Sequence, residues 1–223
     1  MACGMRDGEA VRQLSALGVN WVGMVFCEES PRNVQMVPVR AGIIPDKAPA
    51  NLPQLEGTSG VDGTSKLERA GFFYDEMPQN IITRVVNFQL DLIVFGGHET
   101  PTLMRNLRRT LDPDIRKGIR FVKSVNVSNA ESVTACRDYA DCTDFFLFNL
   151  QGTLPDEQAD WSLLSAYDGE RPFLLGHVGP GDAGRIRGFR HPRFAGICLD
   201  TSFETEPGVM DVALMAQFLK QLK

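Results

Sequence analysis

Short apolar runs alternate with amphipathic stretches along most of this 223-residue chain. The stub Met1-Ala-Cys-Gly-Met5 is followed, from Asp7, by a pattern with Val11, Leu14 and Leu17 on one helical face and Gly18 as a stop. The apolar run Trp21–Phe26 then reads as a buried strand. Further strand-like runs lie at 70–74, 92–95, 120–125, 145–148, 173–175 and 196–199. Helical patterns separate them at 77–88, 101–111, 130–139, 160–167 and 182–188, and a last one spans 209–222. Counting the stub, eight strands alternate with helices, the pattern of an α/β protein with a parallel sheet. The expected fold is one (β/α)8 TIM barrel, residues 1–223 as a single domain, with an open doubly wound sheet as runner-up because periodicity does not show closure. The stub is short for a strand, so residues preceding Met1 are expected to be missing.

Residues 39–66 break the rhythm with several Pro and Gly and the near-repeat Gly57-Thr-Ser59, Gly63-Thr-Ser65. They read as a long loop or insertion after the second strand. In a barrel such a loop leaves the catalytic end, either as a lid or as an insertion without a role.

Composition narrows the function classes. Hydrophobic residues make up 43% of the chain, enough for one large core. A net charge of −5 and a pI near 5.3 argue against a nucleic-acid surface. The densest basic cluster, Arg105, Arg108 and Arg109, has the spacing of a solvated helix face. No apolar run approaches the roughly 18–20 residues of a membrane span, and no secretion signal opens the chain. Five cysteines without framework spacing fit reduced thiols in a cytoplasmic protein. Cys136 and Cys142 lack the companion pair that zinc requires, and Cys136 reads as helix packing. No ligand cluster points to a metal or an organic cofactor.

Strand, helix, parallel strand places Cys3 and Arg32 at the same end of neighbouring strands, where such folds carry their chemistry. Several motifs recur in order around them. They are Cys3-Gly4, Gly23-x-Val25-Phe26, Ser30-Pro31-Arg32, Leu90-Asp91, Gly97-x-Glu99 and Asp144-x-Phe146-Leu147-Phe148. Asp160-Trp161, Phe173-Leu-Leu175, Gly179-Pro180 and Glu204-Thr-Glu-Pro-Gly208 before Asp211 complete the series. Together they resemble phosphoribosylanthranilate isomerase, a (β/α)8-barrel family of tryptophan biosynthesis, over nearly the whole chain except roughly 39–66.

The resemblance implies an Amadori rearrangement of N-(5-phosphoribosyl)anthranilate, driven by proton transfers without metal or cofactor. Cys3 matches the family's thiolate base at the end of the first strand. Arg32 matches the arginine that contacts the anthranilate carboxylate, a task suited to a guanidinium's paired donors. Asn149 stands where the family has its general acid, an aspartate on the sixth strand, and an amide cannot deliver a proton. His98, His177 and Asp200 follow strands four, seven and eight and are candidate substitutes. Glu99 matches an acidic position and reads by default as a solvated loop carboxylate. The family's Gln-Leu-His-Gly on strand four reads Val94-Phe95-Gly96-Gly97, and Cys198 replaces an aspartate on strand eight.

Phosphate binding in such barrels uses backbone N–H groups after strands seven and eight and a short helix N-terminus. Gly176 and His177 stand where the family has paired glycines, and Asp200, Thr201 and Ser202 replace its Ser-Ser-Gly run. The loop at 150–155, after strand six, is shorter than in the family. Thr201 and Ser202 offer donors, Asp200 repels phosphate, and Asp182 competes as a helix cap. The expected function is therefore an isomerase acting on a small phosphorylated substrate as monomer or homodimer, without nucleic-acid or membrane partners. The alternatives are a catalytically impaired phosphate-binding barrel and an isomerase of a different phosphosugar.

Overall fold

The computed structural model of the chain describes residues 1–6, 8–39, 42–45, 67–150 and 158–223. Its first half runs α1 (Gly8–Ala16), β1 (Trp21–Phe26), β2 (Met36–Val39), β3 (Gly42–Pro45), β4 (Glu68–Phe73), α2 (Pro78–Phe88), β5 (Leu92–Phe95) and α3 (Pro101–Leu111). There follow β6 (Arg120–Val127), α4 (Ala130–Thr134), β7 (Phe145–Leu150), β8 (Phe173–Gly176), α5 (Ala183–Gly188) and β9 (Phe194–Ile197). The chain ends with β10 (Glu204–Glu206), β11 (Val209–Met210) and α6 (Val212–Leu222).

Seven strands form one parallel sheet in the order β1-β4-β5-β6-β7-β8-β9. Its two edges meet at Ala2, which pairs in parallel with Val22 on one side and with Leu199 on the other. Ala2 N–H donates to the Trp21 carbonyl at 2.9 Å, and Gly23 N–H donates to that of Ala2 at 2.7 Å. On the other side Cys3 N–H donates to Leu199 O and Leu199 N–H to Met1 O, each at 2.8 Å. The stub thus brings the ring to eight strands, as the first in chain order, and the open doubly wound sheet is set aside. In barrel order β1 is the second strand, β7 the sixth, β8 the seventh and β9 the eighth.

Two sets of apolar side chains follow from strand alternation. Val25, Phe72, Val94, Val122, Leu147 and Leu174 form a cluster of strand residues alone, which fills the barrel. Residues one position away, such as Phe73, Phe95 and Phe121, pack outward against Ile81, Val85 and Phe88 of α2 and Met104 and Leu107 of α3. On the other flank Phe146, Phe148 and Phe173 share a cluster with Leu14 of α1 and with Met215 and Phe218 of α6.

Sequence and structure differ in four places. The segment 130–139 is helical only to Thr134 and continues as a 3-10 turn, Ala135–Tyr139. The segment 160–167 is a 3-10 turn throughout, Trp161–Ala166. The helix expected from 209 begins at Val212, because Asp211 caps it by accepting from Leu214 N–H at 2.9 Å. Residues 204–210 instead form a two-stranded hairpin, β10 with β11. The expected loop at 39–66 begins with an antiparallel hairpin, β2 with β3, while 40–41 and 46–66 lie outside the described residues. The shortened loop at 150–155 lies outside them too, from 151 onward.

The catalytic end is braced by a buried ion pair. Lys123 Nζ on β6 contacts Glu99 Oε2 at 3.1 Å and donates to Gly97 O at 2.6 Å. Glu99 Oε1 accepts from Asp75 N–H at 2.9 Å, tying the β4 and β5 exits together. The side chains are only 6% and 1% exposed, so Glu99 is not the solvated loop carboxylate expected from sequence. Removing one partner of such a pair strands the other charge without a counter-ion. Lys123→Ala is expected to lower the unfolding free energy by about 3–5 kcal/mol. In urea titrations of both variants, Arg137→Ala, which breaks the exposed pair with Asp168, should leave the midpoint almost unchanged.

Candidate functional site

Alternation along each strand aims every second side chain into the barrel, and at the C-terminal ends these residues surround a cavity of about 440 Å³. Its wall includes Cys3, Arg32, Asn149, His177, Asp200 and Thr201, six of the eight residues singled out in the sequence. Gly176 lies directly behind Asn149, and Ser202 is exposed outside the cavity wall.

Cys3 does not carry a free thiol in this structure. It forms a disulfide with Cys198 at the end of β9, with Cα atoms 6.8 Å apart, which corrects the expectation that all five thiols are reduced. Both residues are buried inside the barrel. A disulfide sulfur accepts no proton, so the oxidised form lacks the base and the reduced form holds two thiols facing the cavity. Cys27, Cys136 and Cys142 are free. Cys136 packs in the outer layer, where burial pushes its thiol up to about 11.

Arg32 reaches the cavity from the loop after β1 and meets Glu204 at the start of β10. Its Nε lies 2.8 Å from both carboxylate oxygens, and one terminal nitrogen is 2.5 Å from Oε2. Glu204 is 4% exposed at its side chain and Arg32 24%, so the pair leaves one edge of the guanidinium toward the cavity. Gly4 makes the close approach possible. Its φ of +80° suits glycine, and a Cβ there would lie 2.8 Å from Glu204 Oε1.

Asn149 is fixed from both sides. Its Nδ2 donates to Ser124 Oγ at 2.8 Å and to Asn126 Oδ1 at 3.4 Å, both on β6. Its Oδ1 lies over Gly176, where a Cβ would come within 2.0 Å of it. Register pairing places Asn149 beside Gly176 and therefore next to His177. His177 has a left-handed backbone, φ +52°, at the position where the resembled family has glycine. Asp200 Oδ2 accepts from its backbone N–H at 3.2 Å and lies 3.3 Å from its Nδ1.

The anion-binding donors are engaged by carboxylates of the chain itself. Besides the His177 N–H held by Asp200, the Gly179 N–H donates to Asp182 Oδ2 at 2.9 Å. Any anion reaching one of these donors would displace the carboxylate that holds it. His98 is 98% exposed, pairs with Asp75 and does not line the cavity, so it drops out as a substitute acid. Glu204 entered the sequence reading only within a motif, without a role, and Ser124 and Asn126 not at all. Alternation gives away the last two, since Val122, Ser124 and Asn126 share one face of β6. Among the described residues no group of His, Cys, Asp or Glu has the arrangement to hold a metal ion, and no helix is long and apolar enough to cross a membrane.

Comparison with known proteins follows the same lines. No family model matches the chain. N-(5'-phosphoribosyl)anthranilate isomerase of Parabacteroides distasonis is 31% identical over 99% of this chain and 91% of its own length. The Phocaeicola vulgatus protein of the same name is 29% identical over 99% and 96%. Among solved structures, phosphoribosyl anthranilate isomerase from Thermus thermophilus superposes with a TM-score of 0.74 at 18% identity, covering 99% of this chain and 96% of that one. The Thermotoga maritima enzyme gives 0.70 at 21% identity with the same coverage. Closure of the barrel at Ala2, the cavity at its C-terminal end and the full-length relatives lead to one assignment: the chain belongs to the phosphoribosylanthranilate isomerase family.

Proposed function

We propose that the chain isomerises N-(5-phosphoribosyl)anthranilate to the carboxyphenylamino-deoxyribulose phosphate, with its cysteine pair reduced. The observation that carries this reading is the convergence of Cys3, Arg32 and Asn149 from three separate strand ends on one cavity. Its volume, about 440 Å³, falls within the roughly 300–1,000 Å³ typical of small-molecule sites.

The chemistry consists of proton transfers and needs no cofactor. An acid protonates the furanose ring oxygen, the bond from C1′ to that oxygen breaks, and the anthranilate nitrogen lone pair forms the C1′=N iminium. Thiolate at Cys3 then removes the C2′ proton, and the electrons pass through C1′ to nitrogen, giving the enolamine. Uptake of a proton at C1′ and loss of the 2′-hydroxyl proton yield the ketone, so substrate and product are isomers. Arg32 is suited to the anthranilate carboxylate, with Glu204 holding the guanidinium in place. Asn149 offers the ring oxygen a hydrogen bond without a proton. The phosphate falls at the loops after β8 and β9, where it competes with Asp182 for the Gly179 N–H while the His177 N–H stays with Asp200.

A phosphate-binding barrel with impaired catalysis is the second reading. Asn149 and the two carboxylates on the phosphate donors favour it.

Two outcomes test the isomerase reading. Denatured without reductant, the chain should titrate three thiols, Cys27, Cys136 and Cys142, and after reduction all five. Loss of phosphoribosylanthranilate fluorescence should then be catalysed only by the reduced protein. Under reducing conditions Cys3→Ala should abolish this turnover while the melting temperature stays nearly unchanged. Equal turnover by the variant would remove Cys3 from the mechanism.

A further inference from the structure

We propose that His177, oriented by Asp200, is the proton donor to the substrate's ring oxygen, taking over the work that Asn149 cannot do. This deepens the isomerase reading above and rests on it. Ring opening needs an acid beside the leaving oxygen, and general acid catalysis contributes about 10²–10⁴-fold in rate. Asn149 occupies the end of β7, but its amide is already committed, donating to Ser124 and Asn126 on one side and lying over Gly176 on the other. The next residue along β8 is His177, so an imidazole stands one strand over from the amide, on the wall of the same cavity.

The remaining titratable groups of that wall are less suited. Arg32 and Glu204 are consumed by each other. Glu29 is exposed on its loop, and carboxylates as a class are ionised at neutral pH. Desolvation raises the Tyr74 phenol further above its usual value near 10, which makes it a poor donor. Cys27 follows β1 on the same wall and carries a thiol, a weak hydrogen-bond donor. Imidazole is the class that exchanges a proton between pH 5 and 8, and among the described residues His177 is the histidine on this wall.

Asp200 equips it for the task. One carboxylate oxygen lies 3.3 Å from His177 Nδ1, an arrangement in which the acid and the ring position each other. The other oxygen, Asp200 Oδ1, is buried with no hydrogen-bond partner among the described residues, an unmet acceptor that a substrate hydroxyl would satisfy. The backbone adds an independent sign. A non-glycine residue at φ +52° is uncommon, and such backbone strain gathers at functional positions.

In the step itself the Nε2 proton passes to the ring oxygen as the C1′–O bond breaks toward that oxygen. His177 is left neutral and regains its proton from solvent or from the 2′-hydroxyl as the ketone forms.

His177→Asn keeps a residue that tolerates the left-handed backbone and removes the acid. With reduced protein and phosphoribosylanthranilate, this variant should lose about 10²–10⁴-fold in kcat with little change in KM. Adding Asn149→Asp to His177→Asn should restore turnover, whereas in the otherwise wild-type chain it should bring little gain. A His177→Asn variant that turns over like wild type, or a loss that Asn149→Asp does not rescue, would overturn the assignment. If the reduced wild-type chain shows no turnover at all, the isomerase reading falls and this one with it.

Discussion

The backbone pairing of Ala2 is the contact on which everything else rests. A parallel sheet of seven strands has two edges with unpaired N–H and C=O groups, and such edges are costly when buried. Ala2 satisfies both, accepting and donating on β1 and setting Cys3 against Leu199 on the other flank. One short stub therefore turns an open sheet into a barrel. It also fixes where the interior ends, since Cys3 is the next residue after the seam. Had Ala2 slipped by one position, the side chain of Cys3 would point out of the barrel.

The site is built by carboxylates as much as by the expected thiol and guanidinium. Glu204 holds Arg32, Asp200 holds His177, Asp182 holds the Gly179 N–H, and Glu99 holds Lys123 beneath the loops. Each acid neutralises or orients a donor that would otherwise be free to meet a ligand. Any anionic ligand of these donors must therefore displace an internal carboxylate.

Much of the fold was legible because parallel strands are buried on both faces and read as continuous apolar runs. The run 92–95 and the helix 101–111 coincide with β5 and α3. Where the helix pattern misled, the buried residues explain it. Val133 and Cys136, like Trp161 and Leu164, are spaced by three, a period that a 3-10 turn serves as well as an α-helix. The hairpin before α6 was hidden because Val209 and Met210 continue the apolar character of the helix that Asp211 begins. At the site, strand ends gave Cys3, Asn149 and His177. The pairings did not show, since Arg32 and Glu204 lie 172 residues apart and Cys3 and Cys198 lie 195 apart. Separations of that size leave no periodicity to read.

The Cys3–Cys198 bond joins the first strand to the last and so makes the barrel a covalently closed hoop. A crosslink over 195 residues restricts the unfolded chain strongly, an effect typically worth about 2–4 kcal/mol. On the proposed mechanism the same sulfur must be released for turnover. Closure and the proposed catalysis therefore draw on one atom: the oxidised hoop carries no base at Cys3, and the reduced barrel is held at its seam by the hydrogen bonds around Ala2.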